Sequence, residues 1–93
     1  MIQISPSAEA DMKAISCEMS QFSENSGSKW LKGICDVFDT LERHPDVGEL
    51  RSEFSIRHCR SFTFGRYVIF FRQYIGGIEI ARVIHGSRDL RNI

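Results

Sequence analysis

Ninety-three residues, 42% of them hydrophobic and 26% charged, suffice for one domain with a small core, in which burial only modestly exceeds the entropy it must offset. Twelve Lys and Arg balance twelve Asp and Glu, and zero net charge argues against a general nucleic-acid binder, whose phosphate contacts demand excess basic side chains. Glu9 and Asp11 interrupt any signal-peptide-like start, and no stretch approaches the roughly 20 apolar residues that cross a bilayer, so a cytoplasmic chain without membrane or sequence-specific nucleic-acid contact is expected.

Residues 1–4 read as a short first strand. Ser5-Pro6 is a helix-start signal, a serine cap before a proline at the first helical position. Ala8, Met12, Ile15, Met19 and Phe22 then recur at spacings of three and four, which puts them on one apolar helix face. Residues 23–27 form a polar connection. A second helix follows, with Trp30, Ile34, Val37, Phe38 and Leu41 on one side, and stops before His44-Pro45. So short a link makes the two helices antiparallel neighbours. Residues 45–48 are turn-like, and residues 49–54 form a crossing without a clear pattern.

From Ile56 onward the chain becomes β-branched and aromatic with glycine punctuation, predicting strands over residues 56–64, 67–74 and 78–85. Gly76-Gly77 suits a two-residue hairpin turn, since both positions tolerate positive φ. The predicted class is α+β, ordered β-α-α-β-β-β: one domain over residues 1–93, with an antiparallel sheet and a helical hairpin on one face. There is no internal repeat and no low-complexity segment.

Charge divides the chain. Residues 1–50 carry four basic and nine acidic side chains, residues 51–93 eight basic and three acidic, and every base in the second part is arginine. Arginine suits planar, partly buried recognition, which directs the search for a site to the strands. Cys17, Cys35 and Cys59 are odd in number and lack metal or redox spacing, so they read as reduced, partly buried thiols. No metal and no cofactor is predicted.

With Gly76-Gly77 as the turn, Arg72 lies opposite Ala81, Phe71 opposite Arg82 and Ile69 opposite Ile84. Alternation then gives a set of mostly small residues, Cys59, Ser61, Thr63, Val68, Phe70, Ala81 and Val83, suited to packing on the helices. The second set holds Ile56, Arg60, Phe62, Phe64, Tyr67, Ile69, Phe71, Ile78, Ile80, Arg82 and Ile84. Two helices cover one face of such a sheet, so the second set is expected to be an exposed apolar binding face, with Arg60 and Arg82 supplying specificity. The alternative is that the faces are reversed, or that residues 45–55 fold over this surface.

Residues 61–72 (SFTFGRYVIFFR) and 77–90 (GIEIARVIHGSRDL) resemble the C-terminal signature of ParE-like toxins of the RelE/ParE superfamily. That signature joins a YVIFYR-like strand, here ending Phe71-Arg72, to a GIEI-x-RV-x-HG-x-RDL strand and tail. The SP-x-A-x-x-D opening from Ser5 to Asp11 is similar to the start of the family's first helix. Only residues 23–55 rest on pattern rather than motif. The resemblance implies a toxin of a type II toxin–antitoxin pair, held in a hetero-oligomer with a ParD-like antitoxin whose disordered tail folds along the toxin. It implies DNA gyrase as the target, trapped so that cleaved DNA accumulates.

On this reading antitoxin meets Arg60, Phe62, Tyr67, Ile69, Phe71, Ile80 and Arg82, and the target meets His85, Arg88 and Asp89. The bland alternatives are a lone strand histidine with an ordinary hydrogen bond, a structural Arg88-Asp89 pair, and Arg72 balancing Glu79 across the hairpin. The rival function is ribosome-dependent mRNA cleavage, as in the RelE branch. It needs basic groups that activate a 2′-hydroxyl and stabilise the phosphorane, for which Arg60, Arg82, His85 and Arg88 are the candidates. Tyr67 stands where that branch has another arginine, and its C-terminal helix with a tyrosine has no counterpart before Ile93. The non-enzymatic reading is therefore preferred.

Overall fold

The computed structural model describes residues 1–53 and 57–87. In chain order the elements are β1 (Ile2–Ile4), α1 (Pro6–Ser20), α2 (Ser26–Arg43), β2 (Glu49–Leu50), β3 (Arg60–Phe64), β4 (Tyr67–Tyr74) and β5 (Gly77–His85). The five strands form a mixed sheet in the order β1-β5-β4-β3-β2. β1 runs parallel to β5, and the remaining pairs are antiparallel. The α+β class and both helices stand as expected. The first strand also stands as expected, but it pairs in parallel with β5, so the sheet is mixed rather than antiparallel; the short edge strand β2, hidden in the patternless crossing, is an addition.

Ser5 explains why α1 starts where it does. Its Oγ accepts from the Ala8 amide at 3.0 Å, the N-terminal cap, and donates to the Ala81 carbonyl at 2.7 Å. One serine thus ends β1, starts α1 and fastens both to β5. α1 closes at Ser20, earlier than its apolar spacing suggests, and Phe22 is 85% exposed rather than part of the packed face. α2 begins at Ser26, so Gly27 is helical and lies against α1: a Cβ there would collide with the Ser16 carbonyl and the Ser20 hydroxyl.

The hairpin turn is Ile75-Gly76, not Gly76-Gly77. Tyr74 pairs with Gly77, Arg72 with Glu79 and Phe71 with Ile80. Only Gly76, at φ +97, is needed for the turn. Gly77 answers a different demand, because the backbone of Met1 occupies the space a Cβ would take. The Met1 carbonyl accepts from the Ile78 amide at 3.0 Å, and the terminal ammonium donates to the Gly76 carbonyl at 2.9 Å and pairs with Glu42. Two glycines in a row mark a turn followed by a strand crossing.

The predicted faces are reversed. Ile69, Phe71, Ile78, Ile80 and Val83 are fully buried in one cluster with Ala8, Met12, Ile15, Trp30, Ile34, Phe38 and Leu41 of the helices, and Phe62, Phe64 and Tyr67 pack on its margin. The larger side chains went to the helices because stabilisation scales with the apolar area removed from water. The smaller set forms a second cluster on the opposite side, with Cys59, Phe70 and Ile84 buried and Val68 and Ala81 beside them. A bulge between Phe70 and Phe71 also changes the register, so Ile69 faces Val83 and Phe70 faces Arg82. Val83 therefore joins the helical side and Ile84 the other.

Candidate binding site

Arg82 is tied to α1. Its Nε donates to Asp11 Oδ2 at 2.7 Å and its Nη2 to Oδ1 at 2.9 Å, while the Val83 amide donates to Oδ2 at 3.0 Å. The hydrogen bond to Asp11 raises the Arg82 pKa above its ordinary value, against the opposing effect of burial. Side-chain exposures of 24% for Arg82 and 15% for Asp11 make this a partly desolvated, bidentate brace. Arg82 is thus a tie between α1 and β5 rather than a free cation on a binding face.

Other members of the expected face also change role. Ile69, Phe71 and Ile80 have no accessible surface to offer a partner. Phe62 is partly buried against the same core. Arg60, at the start of β3, donates from Nη1 to the Gly48 carbonyl at 2.9 Å. Arg72 pairs with Glu79 at 2.9 Å in an exposed bridge, as the cross-hairpin reading suggested. Ile56, Arg88 and Asp89 lie outside the described residues.

Tyr67 and His85 come together. They pair across β4 and β5, with ring centroids 5.4 Å apart and nearly perpendicular planes. Trp30 of α2 meets Tyr67 edge-on, also at 5.4 Å, and Phe64 at 6.4 Å. Two open hollows share Glu18, Tyr67 and His85. One, of about 480 Å³, extends over Met19, Phe22, Trp30, Phe64 and Arg66, and the other, of about 340 Å³, runs along α1 past Asp11 and Ile15. Together they make a groove with an aromatic wall and three charged side chains along it, Glu18, Arg66 and Asp11, the last paired with Arg82. Such walls supply binding area at little entropic cost, because aromatic side chains have few rotamers to lose.

His85 is held in the groove by Ser87. Its Nδ1 accepts from the Ser87 amide at 3.1 Å and lies 2.7 Å from the Ser87 hydroxyl. An accepting Nδ1 places the ring proton of the neutral imidazole on Nε2. Phe64 belonged to the expected binding face, whereas Trp30, Phe22, Glu18 and Arg66 were not assigned to a site from sequence. Periodicity assigned Trp30 and Phe22 to the packed helix faces, and only the crowding of aromatics near Gly65 hinted at a shared site.

The described candidates for RNA cleavage, Arg60, Arg82 and His85, do not converge. Arg60 pairs with Phe71 and His85 with Tyr67, four residues apart on β4, or about 13 Å at the usual strand rise. Arg82 is occupied by Asp11 between them. Of the thiols, Cys17 and Cys35 are exposed, contrary to the expectation of partial burial, and Cys59 is buried. Burial, with Glu53 nearby, pushes the Cys59 pKa up to about 11, against the opposing charge of Arg51, so this thiol is a poor nucleophile near neutral pH. Among the described residues no helix is long and apolar enough to cross a membrane.

The family described as the ParE toxin of type II toxin–antitoxin systems, parDE, matches residues 2–90. No curated protein matches the chain. The family match covers both helices, all five strands and the aromatic groove, so it bears on the whole of the folded unit. This chain belongs to the ParE toxin family, the toxin component of a type II toxin–antitoxin system with an antitoxin as its partner.

Proposed function

We propose that the chain acts by binding rather than by catalysis: it poisons DNA gyrase through protein contact and is silenced by a ParD-like antitoxin laid into the aromatic groove. The observation that carries this reading is the contact between Tyr67, assigned from sequence to the antitoxin, and His85, assigned to the target, with ring centroids 5.4 Å apart. Two partners needing neighbouring rings cannot both be seated, so neutralisation follows from occlusion. A flexible antitoxin tail that orders on the groove buries a large area while remaining degradable when free. The scattering of Arg60, Arg82 and His85 supports a non-enzymatic mode, since general acid–base chemistry needs its groups within hydrogen-bond reach of one reacting centre.

Arg88 and Asp89 follow His85 in the motif and are assigned with it to the target. Gyrase supercoiling run beside ribosome-programmed mRNA cleavage tests the proposal. Purified chain is expected to inhibit supercoiling, accumulate cleaved DNA and leave mRNA intact. Tyr67→Ala is expected to weaken antitoxin binding by roughly 10- to 100-fold, the usual cost of losing an aromatic anchor. Intact supercoiling together with cleaved mRNA would sink the proposal.

A further inference from the structure

The sheet has two edge strands, β1 and β2. An edge offers unpaired N–H and C=O groups to any other chain, and folded proteins blunt it with charge, proline or brevity. β2 is two residues long, and Arg51 beside it pairs with Glu49 and Glu53. β1 reads Ile2-Gln3-Ile4, with no charge and no proline. Ile4 is 39% exposed and borders an apolar hollow of about 270 Å³ that Met12 and Leu31 line with it, together with Glu9 and Lys13.

Two hydrogen bonds fix which groups of β1 point outward. The Met1 carbonyl accepts from the Ile78 amide at 3.0 Å, and the Ser5 amide donates to the Ile80 carbonyl at 2.9 Å. Backbone polar groups alternate sides along a strand, so Gln3 also faces β5, and the N–H and C=O groups of Ile2 and Ile4 face away from it. None of the latter has a partner among the described residues. Farther along β5 the same side is served by side chains: Ser5 donates to the Ala81 carbonyl, and Asp11 accepts from the Val83 amide.

We infer that β1 is a self-association edge, which takes a second copy of this chain by antiparallel β1–β1 pairing about a two-fold axis at Gln3. The sequence Ile-Gln-Ile reads the same in both directions, as a contact between identical surfaces requires. With Gln3 opposite Gln3, Ile2 of each copy meets Ile4 of the other, and each such pair exchanges both N–H···O bonds. Every outward group is then satisfied, whereas an axis at Ile2 or Ile4 leaves the other residue unpaired. Ile2 and Ile4 lie on the helix side of the sheet, so the same pairing covers Ile4 with an isoleucine of the second copy. Zero net charge removes long-range repulsion between copies. Glu9 and Lys13 give the flank one charge of each sign, so it selects no strongly charged partner. The contact is small and of the transient class. It lies at residues 78–80 of β5, away from the groove at Tyr67 and His85, and stands independently of what that groove binds.

The test follows the isotopically labelled full chain through a concentration series by sedimentation velocity and by amide hydrogen exchange in NMR. A reversible monomer–dimer equilibrium is expected. The Ile2 and Ile4 amides should gain protection as concentration rises, while the Gln3 amide, which faces β5, is protected throughout. Ile4→Pro removes an outward N–H that the chain itself does not use, at an edge position where proline is tolerated. It should weaken the dimer roughly tenfold through loss of one bond from each copy. Ile4→Lys sets a charge on the edge and should weaken the dimer at least as much, and it replaces the proline variant if circular dichroism shows that variant misfolded. A monomer at every concentration overturns the inference, as does a dimer whose Ile2 and Ile4 amides stay unprotected or whose affinity is unchanged by the substitutions. Protection of those amides only on addition of antitoxin gives the edge to that partner and equally overturns it.

Discussion

The two faces of the sheet differ in what they exclude water with. Toward the helices, Ile69, Phe71, Ile78, Ile80 and Val83 meet seven helical side chains in one extended cluster, braced at its edge by Arg82 and Asp11. On the other side three buried residues, Cys59, Phe70 and Ile84, form a small cluster of their own. The first face has the area and the ion pair that hold layers together, and the second adds a local patch. Mutational cost should follow that inequality.

The largest effect is expected from Phe71→Ala. Phe71 is fully buried, and phenylalanine truncation in a core typically costs about 3–5 kcal/mol. A domain of this size has a total stability of only roughly 5–14 kcal/mol, so the variant should show a sharply lowered urea midpoint or fail to fold. A loss below about 1 kcal/mol would mean that the helical face is not the main core. Asp11→Ala comes next. It leaves the Arg82 guanidinium and the Val83 amide without their acceptor, at a cost of about 2–4 kcal/mol. Thermal denaturation should report it, and an unchanged midpoint would reduce the brace to a surface pair.

The smallest effect belongs to the second face and appears only in alkali. The Cys59 thiol is held neutral by burial, with its pKa pushed from 9.0 to about 11. From about pH 9 the unfolded chain releases this proton while the folded chain keeps it, so stability declines as pH rises through that interval and is unaffected below it. Urea denaturation of wild type and Cys59→Ala between pH 8 and about 11 should show a steeper decline in wild type. Parallel curves would show that Cys59 meets water in the folded state and that the second cluster is open.

Much of this fold was legible in one dimension because the signals are local. The Ser5-Pro6 start, the three- and four-residue apolar spacings and the glycine-bounded strands each act within a few residues, and α1, α2, β4 and β5 emerged close to their predicted bounds. The first strand was legible as well, but its parallel pairing with β5 was not, since a three-residue segment carries no record of its partner. The site was read less completely. Tyr67 and His85 were singled out and do meet, and Trp30 was rightly placed in the core, but a helical stripe does not show that its first aromatic also borders a groove.

Sequence alone determined the types and order of every element but β2, the family motif and the concentration of arginine in the second half of the chain, since each is a property of neighbouring residues. Tertiary structure alone decided which face of the sheet meets the helices, where the bulge falls and which arginine is spent on Asp11. Alternation sorts side chains into two sets without ranking them. The ranking comes from the area each set buries against the rest of the molecule, and that quantity exists only once the chain has closed on itself.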